Sequence, residues 1–127
     1  MKAFTRAMQA LSDPGRVKVL KMLGHAGTLC NCQIHPALGL AQPTVSKHLK
    51  VLEDAGFIVG EKRGLWVHYR LNPAPTPLVR SLLALLAGAL DQDPGVLDAI
   101  RAIGPALTPL PGPDGEDCAC TVMDPRD

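Results

Sequence analysis

The chain has 127 residues, of which 46% are apolar, 20% are charged and only 3% are aromatic. This length suits one domain with a modest core, and the shortage of aromatic residues favours a helical core over a β-sandwich. No run of about eighteen apolar residues occurs, and no signal-peptide core follows Lys2 and Arg6. We therefore expect a cytoplasmic protein without a membrane segment.

The net charge of +1 conceals an uneven distribution of charge along the chain. Residues 1–72 carry ten Lys or Arg and four Asp or Glu, a net charge of +6, whereas residues 73–127 carry three and eight, a net charge of −5. This asymmetry favours contact between the basic first part and nucleic-acid phosphates. The alternative is a solvated basic face without such a partner.

The spacing of apolar residues predicts four helices in the first half of the chain. FTRAMQAL carries a stripe of apolar side chains at helical spacing: Phe4, Met8 and Leu11. SDPG can cap a second helix over RVKVLKMLGH, and a third, short helix runs from about residue 30 to residue 38. In LAQPTVSKHLKVLEDAGFI a fourth helix begins at Pro43 and ends at Gly56.

From Phe57 onward the pattern first becomes that of β-strands. FIVGEKRGLWVHYRLN predicts two short strands joined by the basic turn EKRG, with Lys62, Arg63 and Gly64 at or near the tip of the hairpin. LVRSLLALLAGAL then has apolar residues on more than one face, which predicts burial on two sides and favours a dimer interface. DPGVLDAIRAIG predicts a further short amphipathic helix.

These elements divide the chain into three parts. We predict that residues 1–90 form a winged helix-turn-helix domain for DNA binding and dimerisation, residues 91–104 a short C-terminal helix, and residues 105–127 a flexible acidic tail rich in Pro and Gly. The predicted fold class is mainly α with a β-hairpin wing, in a homodimer. In such a fold the longer helix after the short one enters the major groove, and the hairpin contacts flanking phosphates or the minor groove.

Four cysteines form two Cys-x-Cys pairs, Cys30 with Cys32 and Cys118 with Cys120. In a reducing cytoplasm such pairs favour a metal or redox role over structural disulfides. Side chains at positions i and i+2 of an ideal helix point roughly 200° apart, so Cys30 and Cys32 could share a ligand only if the helix start opens. Alternatively, both are small buried apolar side chains.

Four blocks of this sequence resemble the ArsR/SmtB family of metalloregulatory repressors: ALSDPGRVKVLKML, LCNCQI, LAQPTVSKHLKVLEDAGFI and GEKRGLWVHYRLN. The resemblance covers residues 4 to about 90. It implies a homodimer that binds double-stranded operator DNA and releases it when a toxic metal or metalloid binds. It also implies a recognition helix of about residues 43–54, with DNA-binding residues in this helix, just before it and in the wing: Gln42, Thr44, Ser46, Lys47, His48, Lys50, Lys62 and Arg63.

LCNCQI resembles the arsenite-responsive motif of that family, in which thiolates at the helix start bind As(III) or Sb(III). Thiolates also suit Cd(II) and Pb(II), and a helix N-terminus lowers the pKa of a thiol. The family's zinc-type site is built from Asp and His pairs on the last long helix, across the dimer. It is excluded here, because the run from residue 78 to residue 90 has no His and no carboxylate.

The family often has a third cysteine where this chain has His35, and imidazole is a poor ligand for As(III). We therefore expect Cys118 or Cys120 to supply the missing thiolate, since an extended tail is long enough to reach Cys30 and Cys32. A separate metal-capturing role for the tail is the alternative.

Three other interpretations of the cysteines compete with a metalloid sensor. A thiol-disulfide switch would regulate the same repressor, and a zinc-stapled structural module would unfold when metal is removed. A thiol enzyme would need a catalytic His or a phosphate loop, which these Cys-x-Cys pairs lack. We expect no enzymatic activity and no organic cofactor.

Overall fold

The computed structural model describes residues 1–104, and the tail predicted for residues 105–127 lies outside the described residues. The described part consists of α1 Lys2–Ala10, α2 Pro14–Ala26, β1 Thr28–Cys30, α3 Asn31–Leu38, α4 Gln42–Asp54, β2 Ile58–Arg63, β3 Trp66–Leu71, α5 Pro77–Ala87 and α6 Pro94–Ile103. This element order confirms the predicted mainly α fold with a β-hairpin wing. Within the described part, every helix is too short or too polar to cross a membrane.

Capping residues determine where several of these helices begin and end. The Asp13 carboxylate accepts a hydrogen bond of 2.7 Å from the Gly15 N–H at the start of α2, which satisfies one of the unpaired N–H groups there. Helix α4 begins one residue before the predicted start at Pro43, which occupies the second helical position. Gly56, at φ +89°, ends α4 as predicted, since a residue with positive φ favours Gly.

The hairpin belongs to a three-stranded antiparallel sheet with the strand order β1-β3-β2. Strand β1 was not predicted, and it pairs with β3 so that Cys30 lies opposite His68. Strand β2 pairs with β3 as far as Arg63 opposite Trp66. The turn therefore consists of residues 64 and 65, and most of the predicted basic turn belongs to β2.

The core lies between the helices and one face of the sheet. Its fully buried large side chains come from α2, α3, α4, the first residue of β2 and the residue before it: Met22, Leu23, Ile34, Leu49, Leu52, Phe57 and Ile58. The helical stripe predicted for the fourth helix is buried as expected. In α1, however, Phe4 is 52% exposed, and Ala7 and Ala10 are the buried residues.

Helix α5 is only partly covered by the rest of the described chain. Val79 is its one buried residue, while Leu85 is 67% exposed. Four further leucines are half-buried against the core: Leu78, Leu82, Leu83 and Leu86. Within one chain, the burial predicted for this helix on two sides is therefore incomplete.

Candidate nucleic-acid interface and thiol site

Cys30 and Cys32 lie where β1 passes into α3. Cys30 is the N-cap residue, with extended backbone angles of φ −101° and ψ 165°, and the helix begins at Asn31, one residue later than predicted. The two cysteines are 2% and 8% exposed, and they pack in one small cluster with Trp66 of β3. Because Cys30 lies outside the helix, the roughly 200° separation expected between side chains at positions i and i+2 of an ideal helix does not apply to this pair.

Cys30 also holds the start of α3 in place. Its backbone N–H donates a hydrogen bond of 2.9 Å to Oε1 of Gln33, and its side chain accepts one from the Gln33 N–H, which together form a capping box. Cys30 and Cys32 are both disulfide-bonded in this structure. Their chemistry as thiolate ligands therefore belongs to the reduced protein, in which the positive end of the helix dipole favours the thiolate form.

Asn31, between the two cysteines, connects this site to α4. Its Nδ2 donates a hydrogen bond of 2.9 Å to Oγ of Ser46 and one of 3.3 Å to the carbonyl oxygen of Gln42. Its Oδ1 is buried without a hydrogen-bond partner. These two hydrogen bonds link the start of α3 to the first turns of α4. No role for Asn31 was predicted, and its position between the two cysteines is the only feature of the sequence that marks it.

The outer face of α4 is polar and exposed. Apolar residues on the inner face fix the helix against the core: Val45, Leu49 and Leu52. The exposed residues include five of the predicted DNA contacts: Gln42, Thr44, Ser46, Lys47 and Lys50. Short polar side chains in the first turns of a helix can approach base edges, and lysines beyond them can reach phosphates.

The wing carries its positive charges close to the turn. Lys62 is exposed at the end of β2, and Arg63 lies beside it with its Nη2 3.5 Å from Oε1 of Glu61. Leu65, in the turn itself, is 86% exposed. The ion pair of Arg63 is partly exposed, so it contributes little to stability and leaves the guanidinium available to an anionic partner.

The comparisons with known proteins agree with this geometry. The sequence profile described as "Bacterial regulatory protein, arsR family" matches residues 13–59, from the cap of α2 into β2. The arsenic resistance transcriptional regulator ArsR1 of Pseudomonas putida is 36% identical over 95 residues, which are 73% of this chain and 72% of that protein. The chain belongs to the arsR family. This confirms the resemblance drawn from the four sequence blocks.

A second repressor and a solved structure also match this chain. The arsenical resistance operon repressor of Escherichia coli is 41% identical over 63 residues, which are 50% of this chain and 54% of that repressor. The structure of reduced HlyU from Vibrio cholerae matches with a TM-score of 0.55 and 25% identity, over 67% of this chain and 85% of that one. The winged helix-turn-helix assignment is therefore supported by sequence and by structure.

Membership of the arsR family gives the elements their general roles. The family consists of DNA-binding transcriptional regulators and is not a class of enzymes. In this ArsR-family repressor α3 and α4 form the helix-turn-helix, and β2 and β3 form the wing.

His48, which was predicted to contact DNA, points from α4 toward α2. Its Nδ1 lies 3.4 Å from Nη1 of Arg16, its Nε2 lies 3.8 Å from Oδ1 of Asp13, and its side chain is 12% exposed. Burial raises the pKa of the Asp13 carboxyl, but the Gly15 N–H and the charges of His48 and Arg16 hold that pKa below its ordinary value. A base contact by His48 stays a prediction and requires the ring to leave these partners.

Two histidines near the cysteine pair differ in their surroundings. His35 donates a hydrogen bond of 3.2 Å from Nδ1 to the carbonyl oxygen of Leu40, which closes the end of α3. His68, for which the sequence predicted no role, is 2% exposed, and neither ring nitrogen has a hydrogen-bond partner among residues 1–104. Burial lowers the pKa of His68 and the Arg63 charge lowers it further, against a smaller rise caused by Glu61.

Cys118 and Cys120 lie outside the described residues, so their contribution to this site stays a prediction. Within residues 1–104, no three His, Cys, Asp or Glu side chains are arranged to hold a metal ion. The described part of the chain thus brings Cys30 and Cys32 together in one cluster.

Proposed function

We propose that this ArsR-family protein is a homodimeric repressor that releases operator DNA when As(III) or Sb(III) binds the thiolates of Cys30 and Cys32. The observation that carries the proposal is the position of this pair at the start of α3, with Asn31 between them hydrogen-bonded to α4. Two relatives are named as an arsenic resistance regulator and an arsenical resistance operon repressor. These names support a metalloid as the inducer.

The chemistry of the two cysteines fits a thiophilic ligand. Thiolate sulfur prefers soft ions, and the cluster with Trp66 keeps water away from both sulfurs. Cd(II) and Pb(II) are the alternative inducers, and a similar protein of Staphylococcus aureus is named as a cadmium resistance regulator. We assign the third thiolate to Cys118 or Cys120, from the same subunit or its partner.

DNA release follows from the contacts around Cys30. When the two sulfurs are drawn to one centre, Cys30 leaves the geometry in which it caps α3, and Asn31 moves with it. Asn31 then shifts Ser46 and the first turn of α4. In a dimer the two recognition helices must fit major grooves roughly 34–36 Å apart, so a small rotation in each subunit lowers the affinity for DNA. By linkage, DNA lowers the affinity for the inducer by the same factor by which the inducer lowers the affinity for DNA.

The proposed DNA contacts fall into two classes. Short side chains at the start of α4 read base edges, and cations in α4 and the wing bind phosphates. The first class comprises Gln42, Thr44 and Ser46, and the second Lys47, Lys50, Lys62 and Arg63. The partly covered α5 supplies the interface between the two subunits, and the protein acts in the cytoplasm, where the operator lies.

The test is a fluorescence-anisotropy titration of a labelled duplex that the reduced protein has selected from a random library. Arsenite should release the wild-type protein, whereas Cys30→Ser/Cys32→Ser should stay bound at every arsenite concentration. Cys118→Ser/Cys120→Ser is the matched control for thiols in general, and it should still release DNA but require more arsenite. Equal release of wild type and Cys30→Ser/Cys32→Ser would overturn the proposal.

A thiol-disulfide switch is the second candidate, because Cys30 and Cys32 are both disulfide-bonded in this structure. Here oxidation changes the start of α3, and no metalloid is needed. The same titration in excess reductant separates the two functions. Arsenite-driven release persists in reductant, whereas release by an oxidant disappears.

A further inference from the structure

His68 is a buried polar side chain whose role the fold does not explain. It is 2% exposed, and both of its ring nitrogens lack a hydrogen-bond partner. A buried polar group without a partner costs free energy, and most such groups in native proteins are paired with protein, water or a ligand. The unpaired nitrogens of His68 therefore indicate a ligand on its face of the sheet.

The strand register places His68 beside the cysteine pair. Cys30 of β1 lies directly opposite His68 of β3, and Glu61 of β2 lies opposite its other side. Directly opposite residues project from the same face with Cβ atoms about 4.5–5.5 Å apart. Trp66, two residues before His68 and therefore on the same face, packs on both Cys30 and Cys32.

We propose that in the reduced protein Cys30, Cys32 and His68 form a three-ligand site for Zn(II) or Cd(II), with two sulfurs and one imidazole nitrogen. Metal–sulfur and metal–nitrogen distances of roughly 2.3 Å and 2.0–2.1 Å can be reached across neighbouring strands by side-chain rotation. In the disulfide-bonded form residues 1–104 hold no assembled three-ligand group. Reduction frees both sulfurs to turn toward the ring.

The other histidine near the pair does not compete for this role. His35 is one helical turn from Cys32, but its Nδ1 is occupied by the carbonyl oxygen of Leu40 at 3.2 Å. His68 has both nitrogens available, and Glu61 across the strand can accept the N–H that does not face the metal, which would orient the ring.

This inference rests on the proposed function, because it uses the same cysteines, and it adds selectivity between ions. Imidazole suits Zn(II) and other borderline cations, whereas As(III) depends on thiolates. A cation held by His68 also ties the start of α3 to strand β3 of the wing. Two DNA-binding elements would then respond to one ion.

The test compares His68→Gln with His35→Gln in full-length reduced protein that also carries Cys118→Ser/Cys120→Ser, so that tail sulfurs cannot replace the imidazole. Binding of CdCl2 and ZnCl2 is followed through Trp66, the only tryptophan in the chain. We expect His68→Gln to weaken Cd(II) binding by about tenfold or more, the scale on which even outer-shell changes act. Its arsenite affinity should not change, and His35→Gln should bind both ions normally.

X-ray absorption of the cadmium complex of the protein that carries only Cys118→Ser/Cys120→Ser provides a second measurement that needs no His68 variant. Outer-shell scattering from an imidazole ring beside the two sulfurs supports the site, and sulfur neighbours without that imidazole signal overturn it. Unchanged Cd(II) affinity in His68→Gln also overturns it but leaves the proposed function intact. The proposed function fails only if Cys30→Ser/Cys32→Ser still releases DNA with arsenite.

Discussion

Asn31 donates a hydrogen bond of 2.9 Å from its Nδ2 to Oγ of Ser46, and this bond joins the residue between the two cysteines to the recognition helix. A second bond of 3.3 Å from the same nitrogen reaches the carbonyl oxygen of Gln42. The side-chain oxygen of Asn31 has no hydrogen-bond partner although it is buried. Asn31 thus connects α3 to α4 through a single donor group.

Replacing Asn31 by Ala should weaken operator binding in the absence of inducer and reduce the response to arsenite. A hydrogen bond contributes roughly 0.5–1.5 kcal/mol, so we expect the Kd for DNA to rise about two- to tenfold. Arsenite should bind with unchanged affinity, because Cys30 and Cys32 are intact. Anisotropy titrations with and without arsenite measure the affinity for DNA and its response to arsenite. Trp66 fluorescence measures the affinity for arsenite.

Ser46→Ala supplies the control, because Ser46 is also a proposed DNA contact. If the bond couples the two helices, the double variant Asn31→Ala/Ser46→Ala should lose less affinity than the sum of the single variants. Additive losses would show that the hydrogen bond carries no coupling and that each residue acts separately.

Asp13 should make the stability of the fold depend on pH in the acid range. Its pKa in the folded protein is below its ordinary value, so its contribution to stability is complete above about pH 4. That contribution is lost as the pH falls through the folded-state pKa. Asp13→Asn retains an oxygen that can cap α2 but cannot ionise. We expect the variant to lose less stability than the wild type between about pH 4 and pH 2, as measured by urea unfolding followed by circular dichroism.

Comparison of Asp13→Ala with Asp13→Asn separates the cap from the charge, because Ala removes both and Asn removes only the charge. Asp13→Ala removes the oxygen that accepts the Gly15 N–H at 2.7 Å, and it should cost about 1 kcal/mol at pH 7. Asp13→Asn should cost less there, because Asn keeps the cap and loses only the contribution of the charge. Identical acid unfolding of the Asn variant and the wild type would contradict the assignment of the pH dependence to this carboxyl.

Lys47 and Lys62 should contribute to DNA affinity through phosphates. Each Ala substitution should reduce the magnitude of the negative slope of log Kobs against log salt concentration by about 0.9, the value for one phosphate contact. Arg101→Ala is the matched control, because Arg101 is an exposed cation on α6 that pairs with Asp98 at 3.1 Å. It should leave the slope unchanged. A uniform effect of all three substitutions would indicate a general charge effect and no defined contact.

Much of the fold could be predicted because its signals are local. The period of Val45, Leu49 and Leu52 predicts the buried face of α4, and Gly56 marks its end because few other residues adopt a φ of +89°. The hairpin follows from a run of β-branched and aromatic residues. Strand β1 has three residues and no period of its own, and only its pairing with β3 makes it a strand. That pairing joins residues far apart in the sequence.

The candidate site could be predicted in part for the same reason. Residue type and spacing are enough to identify Cys30 and Cys32 in the sequence as candidate site residues. The bond from Asn31 to Ser46, the burial of His68 and the turn of His48 toward Asp13 depend on how separate elements pack. A histidine in a strand looks the same in the sequence whether its side chain is exposed or buried.

The exposed face of α5 is the surface through which we propose that two subunits meet. Leu85 is 67% exposed on a helix in which only Val79 is buried. A single exposed Leu is common on protein surfaces, but here four half-buried leucines flank it on the same helix: Leu78, Leu82, Leu83 and Leu86. Leu85→Glu should convert the dimer to a monomer, because a carboxylate in an apolar interface loses hydration without gaining a partner.

Sedimentation equilibrium at micromolar protein concentration tests this, with Leu65→Glu as the control. Leu65 is 86% exposed at the wing turn, so the same substitution there should leave the dimer intact. The Leu85→Glu monomer should keep its helical circular dichroism and its arsenite binding if one subunit supplies all the ligands. Its affinity for a two-half-site duplex should fall toward that for a single half-site, because the second recognition helix is no longer held in place. A dimeric Leu85→Glu protein would move the subunit interface away from α5.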